Sequence, residues 1–420
     1  MGGMNSSLFP AATSAMLLTI FLQPPHMAMT TARKPRTTVP SMKTNRTSLT
    51  LATLAFAGLS FAHGEKIATP DADRPVVQLA ILLDNSGSMS GLIGQAKSQL
   101  WAMVNEFISA KQEGKAPRVQ VALFEYGMSS HGEKGYIEKL SPLTDDLDKL
   151  SEQLFSISQK DSGGEEYCGW VIKDALEQLE WDKSPKTYKA IFIAGNEPFT
   201  QGKVGYRDVC KSAISKGIIV NTIHCGSEQE GIEGKWKDGA ALADGRYLII
   251  DHNAALVSIA APQDKEIAEL NSQLNTTYLA YGARGAEGKA RQEAQDKNTA
   301  SAPAPAAALA ARTVSKSSAV YSNSSWDLLD RAKEKDFDIT KLKADELPEE
   351  MRKLSPEERT ALLEKKKTER ATLQKQLGDL AVAREKFVAE NSKAPDASLG
   401  KAVTTAIREQ AAKKGVKFEK

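Results

Sequence analysis

The run Val76–Leu83 is apolar except for Gln78, and it ends directly on Asp84-Asn85-Ser86-Gly87-Ser88. A strand that is apolar on both sides must be covered on both faces, which places it inside a parallel sheet flanked by helices. The segments that follow keep to the same scheme. Ile93, Ala96, Leu100, Val104 and Phe107 recur at helical spacing. Arg118–Glu125 reads as a second strand, and Thr144 before Asp145 and Asp146 predicts an N-cap opening a helix through Ile157. Cys168–Leu179 carries Val171, Ile172, Ala175 and Leu179 on one helical side. Tyr188–Ala194 reads as a strand, Gly205–Lys216 as a helix, and Gly217–Cys225 and Arg246–Asp251 as further strands. Over residues 73–260 this alternation predicts an α/β domain, a doubly wound and mostly parallel sheet with helices on both faces.

The flanks read differently. Lys43 and Arg46 precede an apolar stretch from Leu49 to Ala62 that ends Ser60-Phe61-Ala62. A basic start, a short apolar run and small residues at the end predict a signal peptide over residues 42–62, too short to span a bilayer. Residues 1–41 then read as an extension upstream of the true start at Met42, or as a disordered leader. Residues 264–298 read as one or two polar helices forming a helical extension. The alanines and prolines of residues 299–318 read as a linker. The remainder, residues 319–420, reads as a helical region. Ser355-Pro356-Glu357-Glu358 is a capping box opening a long charged helix to about Asn391. Leu363, Leu373, Leu377, Leu380 and Phe387 share a seam that Lys366, Arg370 and Arg384 interrupt, which predicts a docked helix or a short coiled coil able to self-associate. The basic stretch Ser398–Lys420 reads as a solvated tail.

Composition narrows the function. With 55 Lys and Arg against 53 Asp and Glu, the net charge is +2, which gives no global field for nucleic acid or an anionic membrane. Three cysteines and no CxxC pair exclude a disulfide-built scaffold and a zinc ribbon. An exported chain meets an oxidising compartment. Cys210–Cys225 then joins neighbouring elements across a short loop and is the expected pairing among three, with unpaired buried thiols the alternative. Cys225 and His224 are adjacent on a strand and point to opposite faces, so they form no catalytic pair. His131 and His252 read as surface histidines. No nucleophile elbow, HExxH helix or phosphate-binding loop is present, and nothing specifies an enzyme.

The chemistry concentrates after the first strand. Ligands of open parallel sheets bind at the carboxyl ends of the strands, where the strand order reverses. Asp84, Ser86 and Ser88 deliver one carboxylate and two hydroxyls to that place, and Gly87 permits the turn. Hard oxygens without imidazole or thiolate suit Mg²⁺, Ca²⁺ or Mn²⁺. The alternative is that these side chains only cap the following helix.

The Asp84-x-Ser86-x-Ser88 signature, its position and the order of elements resemble the von Willebrand factor A-type (VWA) family. Gly164–Gly169, Gly217–Cys225 and Thr277–Gly282 resemble a bacterial exported subgroup of it. The resemblance implies a Rossmann-like sheet with a metal-ion-dependent adhesion site on its upper rim, where Ser86 and Ser88 ligate a divalent cation, Mg²⁺ foremost, and Asp84 acts through water. The family completes this site with a threonine in a second loop and an aspartate in a third. Here the second loop, residues 161–167, has no threonine; Glu165 is the nearest substitute and Glu166 the next. In the third loop Asn196 stands where the aspartate is expected. Tyr126, Met128, Tyr167 and Phe199, with Glu166 and Glu197, read as a binding rim.

These readings predict an exported, secreted or periplasmic binding protein that recognises a protein or polymer ligand through an acidic group. The alternative is an envelope-assembly module with a metal-free rim that acts through its C-terminal helices. Metal-assisted hydrolysis with Glu165, Glu166 or Glu197 as base is a third and weaker reading.

Overall fold

The computed structural model describes residues 74–132, 135–158, 163–253, 259–392 and 398–419. The expected leader and signal peptide, residues 1–41 and 42–62, lie outside them. The described strands are β1 (Val76–Asp84), β2 (Ala110–Gln112), β3 (Arg118–Tyr126), β4 (Ile137–Thr144), β5 (Tyr188–Gly195), β6 (Ile219–Cys225), β7 (Tyr247–Ile250) and β8 (Val416–Phe418). The helices among them are α1 (Ser90–Asn105), α2 (Leu147–Ser156), α3 (Cys168–Gln178), α4 (Tyr206–Ser215), α5 (Glu228–Glu233), α6 (Trp236–Leu242), α7 (Asp264–Asn275), α8 (Gly285–Ala300), α9 (Pro305–Lys316), α10 (Leu328–Arg331), α11 (Pro356–Asn391) and α12 (Leu399–Ala412).

The main sheet runs β4-β3-β1-β5-β6-β7. All its neighbours are parallel except β4, which pairs antiparallel with β3. β1 lies between β3 and β5, with Leu83 opposite both Glu125 and Ala194. The order therefore reverses at β1, and the carboxyl ends of β1, β3 and β5 meet at one rim. β4 carries exposed Glu138 and Lys139 and contains Pro142, as an edge strand tolerates.

Alternation along the strands divides the interior into two cores. Val77, Leu79, Leu83, Tyr188, Phe192, Ile223 and Cys225 face one side with α1 and α2. Ala80, Leu82, Ile191, Ile193 and Val220 face the other with α3 and α4, where Cys168 and Cys210 lie. This corrects the expected disulfide. Cys210 and Cys225 sit in cores on opposite faces of the sheet, and all three cysteines are free and buried.

The C-terminal half packs onto the first core rather than standing apart. Residues 299–318, expected as a linker, are mostly α9, whose small side chains allow close approach to α1. Arg312 of α9 is fully buried, bonds Asp148 of α2 at 2.7 Å, and stacks over Trp101 at 4.6 Å. The expected solvated tail is α12 and β8. α12 covers α1 and the sheet through Val403, Ala406 and Ile407, and Gln410 bonds Tyr188 and Asn221. β8 pairs antiparallel with β2. The seam of α11 docks on α7 and α9, and two of the three charges that interrupt it form its anchors. Arg370 bonds Asp327 at 2.6 Å, and Arg384 bonds Asp264 at 2.6 Å. No helix among the described residues is long and apolar enough to cross a membrane.

Candidate metal centre

β1 ends at Asp84, which is fully buried, and the chain then turns sharply. Asn85 donates its backbone N–H to Tyr126 O at 2.9 Å, and Ser86 donates its N–H to Asp84 Oδ1 at 2.8 Å. A short 3-10 turn, Gly87–Met89, leads into α1. Neither serine side chain caps it: Ser86 is the N-cap of the 3-10 turn and Met89 that of α1, and neither makes a side-chain capping bond. Instead Ser86 Oγ and Ser88 Oγ stand 3.4 Å apart. The signature is not used to start the helix.

β5 supplies the third loop. A Cβ on Gly195 would lie 2.9 Å from Asp84 Oδ2 and 2.5 Å from the Tyr126 hydroxyl, so only glycine lets β5 approach. Asn196 follows at the rim. Its Oδ1 and Asp84 Oδ2 are both buried and make no close hydrogen bond among the described residues, although the Ser86 and Asn196 N–H groups lie near the Asp84 carboxylate. Buried polar atoms are nearly always satisfied, so these two oxygens, at the same rim as the two converging hydroxyls, can take a further partner there.

The second loop differs from expectation in one residue. Glu165 is exposed, whereas Glu166 is half-buried beside Asp84. Gly127 marks the place, since a Cβ there would lie 3.1 Å from Asp84 Oδ1, 3.2 Å from Glu166 Cγ and 3.4 Å from Ser86 Cβ. Gly164 packs directly on the Gly127 backbone, and Gln201 Oε1 accepts the Glu166 N–H at 3.1 Å. Successive residues of an extended segment point to opposite sides, so fixing Glu166 inward turns Glu165 out. Asp161 and Ser162 of this loop lie outside the described residues.

Charge crowds here without compensation. Burial raises the Asp84 carboxyl to about 6 against the pull of the Ser86 and Asn196 N–H groups. Burial, with Asp84 and Glu197 nearby, raises Glu166 to about 7. A hard dication is what such a set of oxygens and carboxylates accommodates. The residues fit one: Ser86 and Ser88 as hydroxyl donors, Asp84, Glu166 and Asn196 around them.

The expected aromatic rim is mostly core. Tyr126 is buried and donates to Ala194 O at 2.9 Å. Phe199 is buried against Tyr206 and Trp236, and Met128 is buried too. A residue following a strand can turn back under the sheet, and its number in sequence does not reveal this. Tyr167 stays half-buried at the rim, stacked on Trp170 and edge-on to Tyr136. Glu197 is half-exposed and receives Gln201 Nε2 at 3.3 Å.

Two histidines carry more than sequence reading assigned them. His131 bridges Glu125 (2.8 Å) and Glu138 (3.2 Å), and Glu125 also accepts from Asn85 Nδ2 at 2.8 Å. These three residues are a second acidic and imidazole cluster behind the signature turn. His224 is buried at the end of β6, close to Trp236. The signal was weak, because His131 meets its carboxylates only when β3 and β4 pair, and His224 is buried by the packing of Gly226, Gly231 and Trp236.

Residues 76–250 form a doubly wound sheet with the signature turn at its switch point, the fold that the resemblance to VWA domains implied, and a helical region follows it. No protein-family model matches the sequence, and no curated protein matches it. Among solved structures, the chain is similar to BatB of Bacteroides thetaiotaomicron, with 20% identity and a TM-score of 0.33 over 42% of this chain and 90% of that one. It is also similar to an aerotolerance-related membrane protein of Bacteroides fragilis, with 20% identity and a TM-score of 0.30 over 42% of this chain and 92% of that one. For the SpRpn10 VWA domain the identity is 17% and the TM-score 0.32, over 42% of this chain and 88% of that one.

Proposed function

We propose that this is an exported binding protein, not an enzyme, whose VWA-type domain holds a divalent cation and recognises an acidic group on a protein or polymer ligand. One observation carries the reading: among the described residues Asp84 Oδ2 and Asn196 Oδ1 are buried without a close hydrogen bond at the rim where the Ser86 and Ser88 hydroxyls converge. A dication held by these residues supplies the charge they lack and a coordination position for an outside oxygen. Mg²⁺ suits hydroxyl and carboxylate oxygens best, with Mn²⁺ and Ca²⁺ as alternatives. Asp84 and Glu166 hold it by charge, Asn196 orients a bound water, and Tyr126 and Gly195 keep Asp84 in place from below. The basic and apolar pattern of residues 42–62 supports export. The C-terminal helices turn their apolar residues onto their own domain, which weighs against assembly through them as the main role.

Calorimetric titration of the full chain with MgCl₂ and MnCl₂ tests the reading. Binding to one site is expected, and Ser86→Ala with Ser88→Ala is expected to lower affinity at least tenfold while the circular dichroism spectrum is unchanged. Absence of cation binding by the unaltered chain would refute it.

A further inference from the structure

Beside the metal centre, on the side of β6, lies an open cavity of about 500 Å³. Asn196 and Glu197 form the wall it shares with the rim, and His224, Glu230 and Glu233 form the far wall. No lysine or arginine lines it. His224 is 2% exposed, yet neither ring nitrogen has a hydrogen-bond partner among the described residues. The ring is held by close packing: a Cβ on Gly231 would lie 2.8 Å from its Cγ and Cδ2, and one on Gly226 2.9 Å from its Nε2 and 3.3 Å from Glu230 Oε2. Burial lowers the imidazole's pKa, so at neutral pH it is uncharged and keeps one accepting nitrogen. A polar side chain this buried and unsatisfied, in a cavity that Glu197, Glu233 and the Ser227-capping Glu230 also line, is suited to an occupant that donates hydrogen bonds and carries positive charge.

We propose that this cavity is a subsite for a cationic side chain, a guanidinium or ammonium group, belonging to the same ligand whose acidic group reaches the metal centre. The ligand is then a protein segment in which a basic residue stands close to an acidic one. Asn196 belongs to both sites and Glu197 follows it at the rim, so one short segment spans them. A metal centre alone takes any accessible carboxylate, and the cavity adds the discrimination. In its acidic half the inference rests on the proposed function; the cavity itself does not.

Capped peptides carrying Asp and Arg separated by zero, one or two serines test it against the same peptides with citrulline in place of Arg. Binding to the full chain with MgCl₂ is measured by calorimetry, and the His224 ring is followed by NMR of histidine-labelled protein. At the best spacing the arginine peptide is expected to bind about tenfold tighter, a difference of about 1.4 kcal/mol, and to shift the His224 ring resonances. Glu230→Gln with Glu233→Gln is expected to remove the preference and leave Mg²⁺ affinity unchanged. If arginine and citrulline peptides behave alike at every spacing, or none moves the His224 ring at millimolar concentration, the subsite is wrong whatever the cation titration gives. If Mg²⁺ fails to bind but arginine peptides still shift the ring, the metal centre fails and the subsite stands.

Discussion

Asp84 bears an electrostatic load that the protein alone does not relieve. Its carboxyl is raised from 3.8 to about 6 by burial, and Glu166 is raised from 4.5 to about 7. A carboxyl raised in the folded state binds its proton more tightly there than when unfolded. In the cation-free protein these two groups therefore contribute most to stability below their unfolded values, and that contribution is lost as the pH climbs through 6 and 7. In EDTA the melting temperature is expected to fall between pH 5 and pH 7.5, and saturating Mg²⁺ is expected to flatten that fall. Asp84→Asn removes the uncompensated charge. It is expected to raise the EDTA-state melting temperature at pH 7.5 by roughly 1–2 °C, the equivalent of about 1 kcal/mol for a chain of this size, and to abolish cation binding. Asp84, Ser86 and Ser88 were legible in the sequence because turn, strand end and donors are contiguous. Asn196 was located by the end of its strand. That Glu166 and not Glu165 turns inward was not legible, since it depends on Gly164 packing against Gly127 from another strand.

Among the elements, the parallel strands could be read because burial on both faces makes them continuously apolar. The edge strand β4 could not, with exposed charges and a proline in it. α9 and α12 were obscured for a different reason. Alanine-rich and basic segments look like linker and tail when their partners are unknown, and Arg312 or Gln410 looks like surface until Asp148 or Asn221 comes within reach. Arg370 makes the same point: in the heptad pattern it breaks a seam, whereas in the fold it is the anchor of α11. Its guanidinium bonds Asp327 and Thr277 and lies 4.0 Å from the centre of the Tyr278 ring. Arg370→Met leaves Asp327 buried without its cation. It is expected to cost about 3–5 kcal/mol, seen as a lower urea midpoint and as early proteolysis within Pro356–Asn391. The two-core arrangement makes a simpler prediction about the cysteines. Denatured protein prepared without reductant is expected to titrate three thiols with Ellman's reagent, and a count of one would show that two of the cysteines are paired.

At the scale of the molecule, the doubly wound sheet and the C-terminal helices share one interior. Val403, Ala406 and Ile407 of α12 and Ala310 of α9 belong to the same core as Val77 and Phe192. A chain ended near residue 262 loses this cover over α1 and the sheet. Such a fragment is expected to sediment as aggregates and to lack a cooperative thermal transition, whereas the full chain melts in one transition. If the fragment instead melts cooperatively as a monomer, the shared core is dispensable.

The antiparallel clasp of β8 on β2 joins residues encoded some three hundred positions apart. A nascent chain emerging from the ribosome has its central strands long before it has the helix and strand that seal them. Completion of the interior must wait until α12 and β8 have been made, so the apolar face of the sheet stays uncovered while they are still to come.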